Sequence, residues 1–316
     1  MGLPSTAWRE RIEPDEAARF ARQGETLAAM HAAKSARYGA GRLLHRKPVL
    51  AAQAAFEVLA DLPAQARYGL FATPGRYPAV VRLSNGSFDV QANAMGDIRG
   101  FAVKVQAVAG PSSLGGAADH QDFLFINHES FAVRTSGEFV EVAAAAAKGR
   151  GTLLLRLLRN YGLRGALARM KTLSATLTKP FAGFASEKFN TVLPIAVGPY
   201  AARVGLTPPP PGRPARKDFE QDMRDRLAAG PLAYDVALQF FVDEAATPIE
   251  NPTVAWPESQ SPFVTVARLT LTGADADVEG MRFDPWGGLA DHRPLGEIMR
   301  ARKSAYRLSQ KGRGAA

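Results

Sequence analysis

Cysteine is absent from the 316-residue chain. The chain therefore has no disulfide, no thiolate metal ligand and no cysteine nucleophile. Only five histidines are present, so a zinc site would have to be assembled from residues that lie far apart in the sequence. The chain also lacks a phosphate-binding loop, a Gly-x-Ser-x-Gly elbow, a His-Glu-x-x-His helix and a Gly-x-Gly-x-x-Gly turn after a strand. The commonest hydrolytic, zinc-dependent and nucleotide-dependent sites are thus not indicated.

Long hydrophobic runs are missing as well. No stretch approaches the roughly 18 apolar residues that a membrane-spanning helix needs. The N-terminus has no charged segment followed by an apolar one, the pattern that marks secretion. Hydrophobic residues make up 46% of the chain and charged residues 22%, which is enough apolar material for a large core. We expect a soluble, cytoplasmic protein.

Acidic residues are missing from one long segment, residues 142–186, which contains eight lysines and arginines. Much of the net charge of +9 is therefore local. No zinc-finger spacing, aromatic RNA-binding motif or helix-turn-helix pattern accompanies this charge, so we expect no nucleic-acid partner. Residues 150–171 combine basic residues with leucines and have two interpretations. They form either a solvated cationic face over a packed apolar one, which the sequence favours, or a contact with an anionic membrane surface or with acidic organic peroxides.

The periodicity of apolar residues changes along the chain. Helical spacing is found in residues 14–35, 138–175 and 294–309. Strand-like alternation is found in residues 79–84, 100–105, 122–133, 234–242 and 262–271. Because the strands cluster without regular intervening helices, the pattern predicts an α+β fold with a mainly antiparallel sheet. No internal repeat or low-complexity break divides the chain, so we expect one domain.

Four short segments contain residues that could carry chemistry. Arg302 and Tyr306 are four apart on a predicted helix, which puts both side chains on one face. A guanidinium beside a phenol favours the phenolate, a ligand suited to ferric iron. The other three segments are RLLH at 42–45, RLSNG at 82–86 and DFLFIN at 122–127. Taken singly, each has a simpler interpretation: a surface contact, a core histidine, an Asn-Gly turn and a strand end.

In their order and spacing, these segments resemble the catalase superfamily. Residues 42–45 resemble the segment in which an arginine precedes the distal histidine by three residues. Residues 82–84 resemble the family's Arg-Phe-Ser, and residues 97–104 (DIRGFAVK) are close to its Asp-Pro-Arg-Gly-Phe-Ala-Val-Lys. Near the C-terminus, residues 254–257 (VAWP) and 283–285 (FDP) resemble the approach to the proximal helix, and Arg302-x-x-x-Tyr306 matches the family's Arg-x-x-x-Tyr. The similarity extends from about residue 40 to residue 313.

The resemblance implies a fold. The family has an antiparallel β-barrel core with flanking helices and a C-terminal helix that carries the proximal haem ligand. Transferred to this chain, it implies one domain with an N-terminal helical arm at 1–38, a barrel core at 40–280, a helical insertion at 140–180 and the proximal helix at 290–316.

The resemblance also implies a haem b (iron protoporphyrin) cofactor with Tyr306 as the iron ligand. The implied catalytic residues are the distal His45, Asn127 beside it and Ser84, which supports the histidine. The implied cofactor-binding residues are Arg42, Arg82, Phe139, Arg302, Tyr306 and Arg313. The implied function is reduction of hydrogen peroxide or organic hydroperoxides through a ferryl intermediate. Its partners are the peroxide and a small-molecule electron donor, and a homo-oligomer stays open.

Some residues depart from the family pattern. Arg46-Lys47-Pro48 follows His45 where large catalases have Ala-Arg-Gly, and Leu44 replaces a valine. We expect no counterpart of the helical C-terminal part of large catalases, because the sequence ends soon after Arg313, and therefore we do not expect a bound nicotinamide. These features resemble short catalase-related peroxidases. Two alternatives stay open: a fatty-acid hydroperoxide isomerase resembling allene oxide synthases, which tend to carry a hydroxyl residue where this chain has Leu44, and a non-enzymatic haem-binding protein.

Overall fold

The computed structural model describes residues 2–208, 210, 214–215, 218–278 and 280–311, with residues 307–311 described by their backbone alone. Within this part of the chain there are five α-helices and nine β-strands. The helices are α1 (Glu16–Tyr38), α2 (Ser136–Ala147), α3 (Arg150–Leu177), α4 (Phe219–Ala229) and α5 (Glu297–Lys311). The strands are β1 (Pro48–Val58), β2 (Gly75–Asn85), β3 (Arg99–Pro111), β4 (Ala117–Ile126), β5 (Phe189–Asn190), β6 (Ile195–Val197), β7 (Tyr200–Thr207), β8 (Leu232–Phe240) and β9 (Phe263–Ala274).

The strands form an antiparallel sheet that closes into a barrel. Neighbouring strands follow the order β5-β4-β3-β2-β1-β9-β8-β7, and β5 pairs with β7 to complete a ring of eight strands among the described residues. Closure joins Phe189 and Asn190 of β5 to Leu206 and Gly205 of β7. A closed ring leaves no open edge within it, so its backbone hydrogen-bonding groups are paired around the circumference.

Strict alternation along the strands separates the inside of the barrel from the outside. Leu83 of β2, Phe101 of β3 and Phe125 of β4 lie side by side in register and are almost fully buried in the main core. Ser84 and Gly100 come next to these core residues along their strands. Because successive side chains point to opposite faces of a sheet, these two positions face the outside of the barrel.

Helices and the N-terminal segment cover part of this outer surface. Helix α1 packs against α2 and α5, and α2 packs against α3. The residues before α1 lie against the barrel, where the Trp8 indole N–H donates to the Pro199 carbonyl over 2.9 Å. None of the described helices has both the length and the apolar character needed to span a bilayer.

The predicted α+β class with an antiparallel barrel core and a C-terminal helix is confirmed. The prediction that the strand of residues 122–133 continues past Ile126 is wrong, because the Asn127 side chain binds the backbone of β3 and ends the strand there. The helical region at 138–175 consists of two helices that separate at Gly149, whose φ of +118° suits glycine. Strands β1, β5, β6 and β7 and helix α4 were not predicted from the sequence.

Candidate active site on the outer face of the barrel

The register of three neighbouring strands brings the predicted site residues together. Ser84 of β2 pairs with Gly100 of β3, and Gly100 pairs with Ile126 of β4. Asn127 follows directly after Ile126, so the ends of β2 and β4 approach the same point on β3. His45, which lies before β1 in the chain, packs onto this point from outside.

His45 is held in one orientation by its neighbours. Its backbone N–H donates to the Gly86 carbonyl over 3.2 Å, and its Nδ1 lies 3.1 Å from the Ser84 hydroxyl oxygen. Its φ is +52°, a left-handed conformation that is uncommon for histidine. Gly100 leaves the space that the imidazole occupies, because a β-carbon there would lie 2.6 Å from the His45 Cε1 and 2.8 Å from the Ser84 Oγ. The Arg82 guanidinium donates to the His45 carbonyl over 2.8 Å.

The environment of His45 keeps the imidazole neutral. Burial of the ring lowers the pKa of His45 to about 3, and burial is the largest cause. The positive charges of Arg82, Arg302 and Arg42 act in the same direction. A neutral imidazole can accept a proton at physiological pH. Arg302 belongs to α5, the helix that also carries Tyr306.

Asn127 presents a hydrogen-bond donor without a partner. Its side-chain oxygen accepts from the Arg99 backbone N–H over 2.8 Å, which fixes the amide plane. Its Nδ2 is buried and has no hydrogen-bond partner among the described residues. A buried unpaired donor costs roughly 1–3 kcal/mol, a cost that a bound acceptor would offset. Arg99 precedes Gly100 on β3. The Asn127 amide and the His45 ring therefore both lie against the start of this strand.

Helix α5 carries the second part of the site. The Arg302 guanidinium donates to the Tyr306 hydroxyl oxygen over 2.8 Å, so the predicted pairing of these two side chains is present. The Trp286 indole N–H donates to the Met299 carbonyl over 2.8 Å. This hydrogen bond anchors α5 about one turn before Arg302. Phe131, four residues beyond Asn127, packs with the cluster that includes Met299. The loop that follows Asn127 is thereby joined to the helix that carries Tyr306.

The other predicted cofactor-binding residues that the structure describes lie on different elements. Arg42 donates to the Met281 carbonyl over 2.9 Å, and Arg82 is buried against the His45 segment. Phe139 lies in the first turns of α2, whose Ser136 is fastened to α5 by two hydrogen bonds to Glu297, of 2.9 and 2.5 Å. Arg313 lies outside the described residues.

Three contributions to the site were not predicted. Gly100 was predicted only as part of the motif at 97–104, although the ring of His45 occupies the space that a side chain at position 100 would fill. His128 follows Asn127, and its Nε2 is buried without a hydrogen-bond partner among the described residues. Burial, the largest cause, together with the charge of Lys179, lowers the pKa of His128 to about 4. Lys179 itself donates to the Asn127 carbonyl over 2.5 Å. The only sequence signal for His128 was its position next to the predicted Asn127.

The donor set limits how a metal could be held. Within the described part of the chain, no group of three or more His, Cys, Asp or Glu residues is arranged to bind a metal ion. Tyr306 with its Arg302 partner offers a single oxygen ligand. A metal bound there would therefore bring its remaining ligands with it, as the metal of a prosthetic group does.

Comparison with known proteins gives a result for structure but not for sequence. No family model matches the chain, and no curated protein matches it in sequence. Catalase A from Saccharomyces cerevisiae superimposes with a TM-score of 0.67 at 16% identity, over 98% of this chain and 67% of that one. A fungal catalase gives 0.66 at 17% identity over 90% and 62%. A bacterial catalase gives 0.66 at 14% identity over 100% and 63%. The chain therefore has the catalase fold, and it spans about two thirds of the length of these catalases.

Proposed function

We propose that this protein binds haem b between His45 and Tyr306 and cleaves the O–O bond of peroxides, as a peroxidase or catalase. The observation that carries the proposal is the pair of groups that lie against the first two residues of β3, Arg99 and Gly100. The imidazole of His45 is neutral, and the buried Nδ2 of Asn127 has no partner among the described residues. Catalases share the fold, which supports the proposal at the level of architecture.

The residues present fit a haem group. Tyr306 would be the iron ligand, and the hydrogen bond from Arg302 would stabilise its phenolate form. Arg42, Arg82 and Arg313 are the proposed partners of the propionates, since guanidinium groups form strong charge-assisted hydrogen bonds with carboxylates. Phe139 is the proposed aromatic contact of the porphyrin face. When bound, the haem would supply the electrons for O–O cleavage.

The role of His45 follows from its charge state and its support. A neutral imidazole accepts the proton of the incoming hydroperoxide and returns it to the oxygen that departs, so that water or an alcohol leaves instead of an oxyanion. Ser84 and Gly100 fix the direction in which the ring points, because one binds Nδ1 and the other leaves room for it. Positioned acid–base groups of this kind typically contribute 10²–10⁴-fold to a rate.

Asn127 orients the peroxide in this scheme. Its oxygen is occupied by the Arg99 backbone N–H, so the amide cannot rotate without losing that bond. The Nδ2 hydrogens are therefore available to an oxygen atom of the substrate. A fixed donor stabilises the negative charge that develops on that oxygen in the transition state. The reducing partner proposed for the second half of the reaction is a small-molecule electron donor.

The first experiment is the visible spectrum of the purified protein. We expect a Soret band and the charge-transfer bands of a phenolate-ligated ferric haem, and we expect Tyr306→Phe to lower the haem content or shift those bands. Tyr161→Phe is the matched control, because Arg169 lies 3.6 Å over the Tyr161 ring and forms a second Arg–Tyr pair outside α5. Identical spectra for Tyr306→Phe and Tyr161→Phe would show that Tyr306 is not the ligand.

The second experiment tests His45 in the haem-loaded protein. His45→Gly removes the imidazole, and glycine can adopt the φ of +52° at this position without strain. We expect haem content to be retained and turnover of hydrogen peroxide and an organic hydroperoxide to fall about 10²–10⁴-fold. Turnover equal to that of the unmodified protein would remove His45 from the mechanism. Product analysis identifies the reaction class: evolved oxygen indicates a catalase, an oxidised donor dye a peroxidase and a rearranged lipid an isomerase.

A further inference from the structure

Most of the net positive charge of this protein comes from one segment. Residues 142–186 contain eight of the 39 basic residues and none of the 30 acidic ones. The rest of the chain therefore carries a net charge of only +1. Helix α3 occupies 28 residues of this segment. This segment is therefore the main source of the net positive charge of the protein.

The same helix exposes large apolar side chains. Ten large hydrophobic residues are exposed in the described part of the chain, and five of them, all leucines, belong to α3. Leu155 and Leu163 are each 67% exposed and Leu167 is 58% exposed. Exposed leucines at this density are unusual for a surface that only meets water.

Within each half of α3, exposed leucines and basic residues lie on the same side of the helix. Leu163, Leu167 and Lys171 are spaced four apart and therefore follow one line along the second half of the helix. Arg164 lies beside this line and is exposed, as are Leu155 and Arg159 in the first half. The helix bends at Gly162, where φ is +65°. We call Leu155, Arg159, Leu163, Arg164, Leu167 and Lys171 the α3 outer face.

The opposite side of α3 is fastened to the protein. Leu157 and Ala166 are buried. Arg169 donates to the Glu138 carboxylate over 3.0 Å, and Asn160 donates to Glu141 over 2.9 Å, so both halves of the helix are tied to α2. The outer face is consequently presented on a supported helix rather than on a free one.

We propose that the α3 outer face binds the surface of an anionic lipid bilayer. In this arrangement the exposed leucines enter the boundary between headgroups and acyl chains. The arginine and lysine side chains beside them contact the anionic headgroups. A nucleic acid would use the basic residues but would leave the leucines exposed to water. A second copy of the chain would face the first across a two-fold axis and bring two cationic faces together.

The test is flotation of the full-length protein with vesicles. The two compositions are phosphatidylcholine alone and phosphatidylcholine with about 30 mol% phosphatidylglycerol, each at about 0.05 M and about 0.5 M NaCl. We expect binding to the anionic vesicles at low salt, strongly reduced binding at high salt and little binding to phosphatidylcholine alone. No binding to anionic vesicles at low salt would overturn the proposal.

Two variants separate the apolar and the ionic contributions. The leucine variant carries Leu163→Gln and Leu167→Gln, and we expect its vesicle affinity to fall at least about tenfold, since burial of a leucine is worth about one decade or more. Its matched control carries Ile12→Gln and Leu114→Gln, which are 67% and 43% exposed on other parts of the protein. The control should bind as the unmodified protein does.

The basic variant carries Arg159→Gln, Arg164→Gln and Lys171→Gln. Each neutralised residue costs about fivefold near an anionic surface, so we expect a loss of about 100-fold. Its matched control replaces three exposed arginines, Arg22, Arg76 and Arg268, by glutamine. Equal losses in a variant and its control would show that no specific face binds the bilayer.

Two further measurements address the other occupants. If a DNA duplex bound the protein and competed with vesicles while the leucine variant kept full affinity for both, the surface would be a polyanion site and the lipid proposal would be wrong. Light scattering after size exclusion reports self-association. A dimer that dissociates in the leucine variant, without vesicle binding by the unmodified protein, would likewise refute the proposal.

Discussion

Replacement of Gly100 by alanine should displace the His45 imidazole, which is the central element of the candidate site. A β-carbon at position 100 would lie 2.6 Å from the His45 Cε1 and 2.8 Å from the Ser84 hydroxyl oxygen. Real β-carbons essentially never approach other atoms so closely, so the ring has to move. Movement of the ring breaks the 3.1 Å contact between Nδ1 and Ser84.

The expected cost combines two effects. Forcing an extra methyl group into a packed site costs about 1–3 kcal/mol, and the lost hydrogen bond costs about 0.5–1.5 kcal/mol. We therefore expect Gly100→Ala to lower the free energy of unfolding by about 2–4 kcal/mol. In a His45→Gly background the ring is absent and the Ser84 hydroxyl, no longer bound to Nδ1, can turn away from the new methyl group, so the same substitution should cost less than about 1 kcal/mol. The difference is a coupling free energy between positions 45 and 100.

Urea unfolding of the two single variants, the double variant and the unmodified protein measures this coupling. Gly273→Ala is the control, since a β-carbon there meets no atom within 4 Å. It should cost little in either background. A cost of Gly100→Ala that is the same with and without the imidazole would refute the assignment of Gly100 as the residue that makes room for His45.

Three further predictions concern charged groups. Because protonated His45 is disfavoured in the folded protein, stability should fall as the pH drops below the unfolded pKa of about 6.5 and level off near the folded pKa of about 3. The loss is about 3 kcal/mol between about pH 7 and about pH 4 in urea titrations, and His45→Gly should remove it. Lys104→Met leaves the fully buried Asp122 carboxylate, 2.6 Å from Lys104, without its cation and should cost about 3–5 kcal/mol near pH 7.5. Burial raises the pKa of Asp122 to about 6, so the cost should be smaller near pH 5, where the carboxyl group is neutral. Arg300→Gln should lower the free energy of unfolding by about 3 kcal/mol and expose the N-terminal segment to trypsin.

The last two predictions have matched controls on the surface. Lys188→Met breaks a pair with Glu258, which is 61% exposed, and should cost less than about 1 kcal/mol at either pH. Arg268→Gln breaks a similarly exposed pair with Asp235 and serves as the control for Arg300→Gln. If Lys104→Met and Arg300→Gln cost as little as these controls, the buried ionic contacts of Lys104 and Arg300 do not stabilise the protein as predicted.

Arg300 ties the N-terminal segment to α5, the helix that carries Arg302 and Tyr306. Its guanidinium lies 2.7 Å from Glu10, 2.7 Å from Glu16 and 3.1 Å from Glu250. These carboxylates come from the segment before α1, from α1 itself and from the loop after β8. All three converge on α5, two residues before Arg302. The sequence contained no local pattern for this cluster, because its members are separated by as many as 290 positions.

Several properties of this protein could be predicted from the sequence alone because they depend on local spacing. Alternation of apolar residues predicted β2, β3, β8 and β9, and a four-residue spacing predicted that Arg302 and Tyr306 would meet on one face of a helix. The order of short motifs predicted the barrel architecture. The absence of acidic residues from 142–186 predicted a basic surface, although it did not predict which side of α3 would be exposed.

Only the tertiary structure decided the properties that depend on contacts between distant segments. The pairing of β5 with β7 closes the barrel through two residues that have no strand-like pattern of their own. The neutral state of His45, the space beside Gly100 and the unpaired amide of Asn127 arise only where β2, β3 and β4 lie in register. Periodicity records which face of a segment is apolar. It does not record the neighbour that the segment meets, and burial, charge and hydrogen bonding at the site all depend on that neighbour.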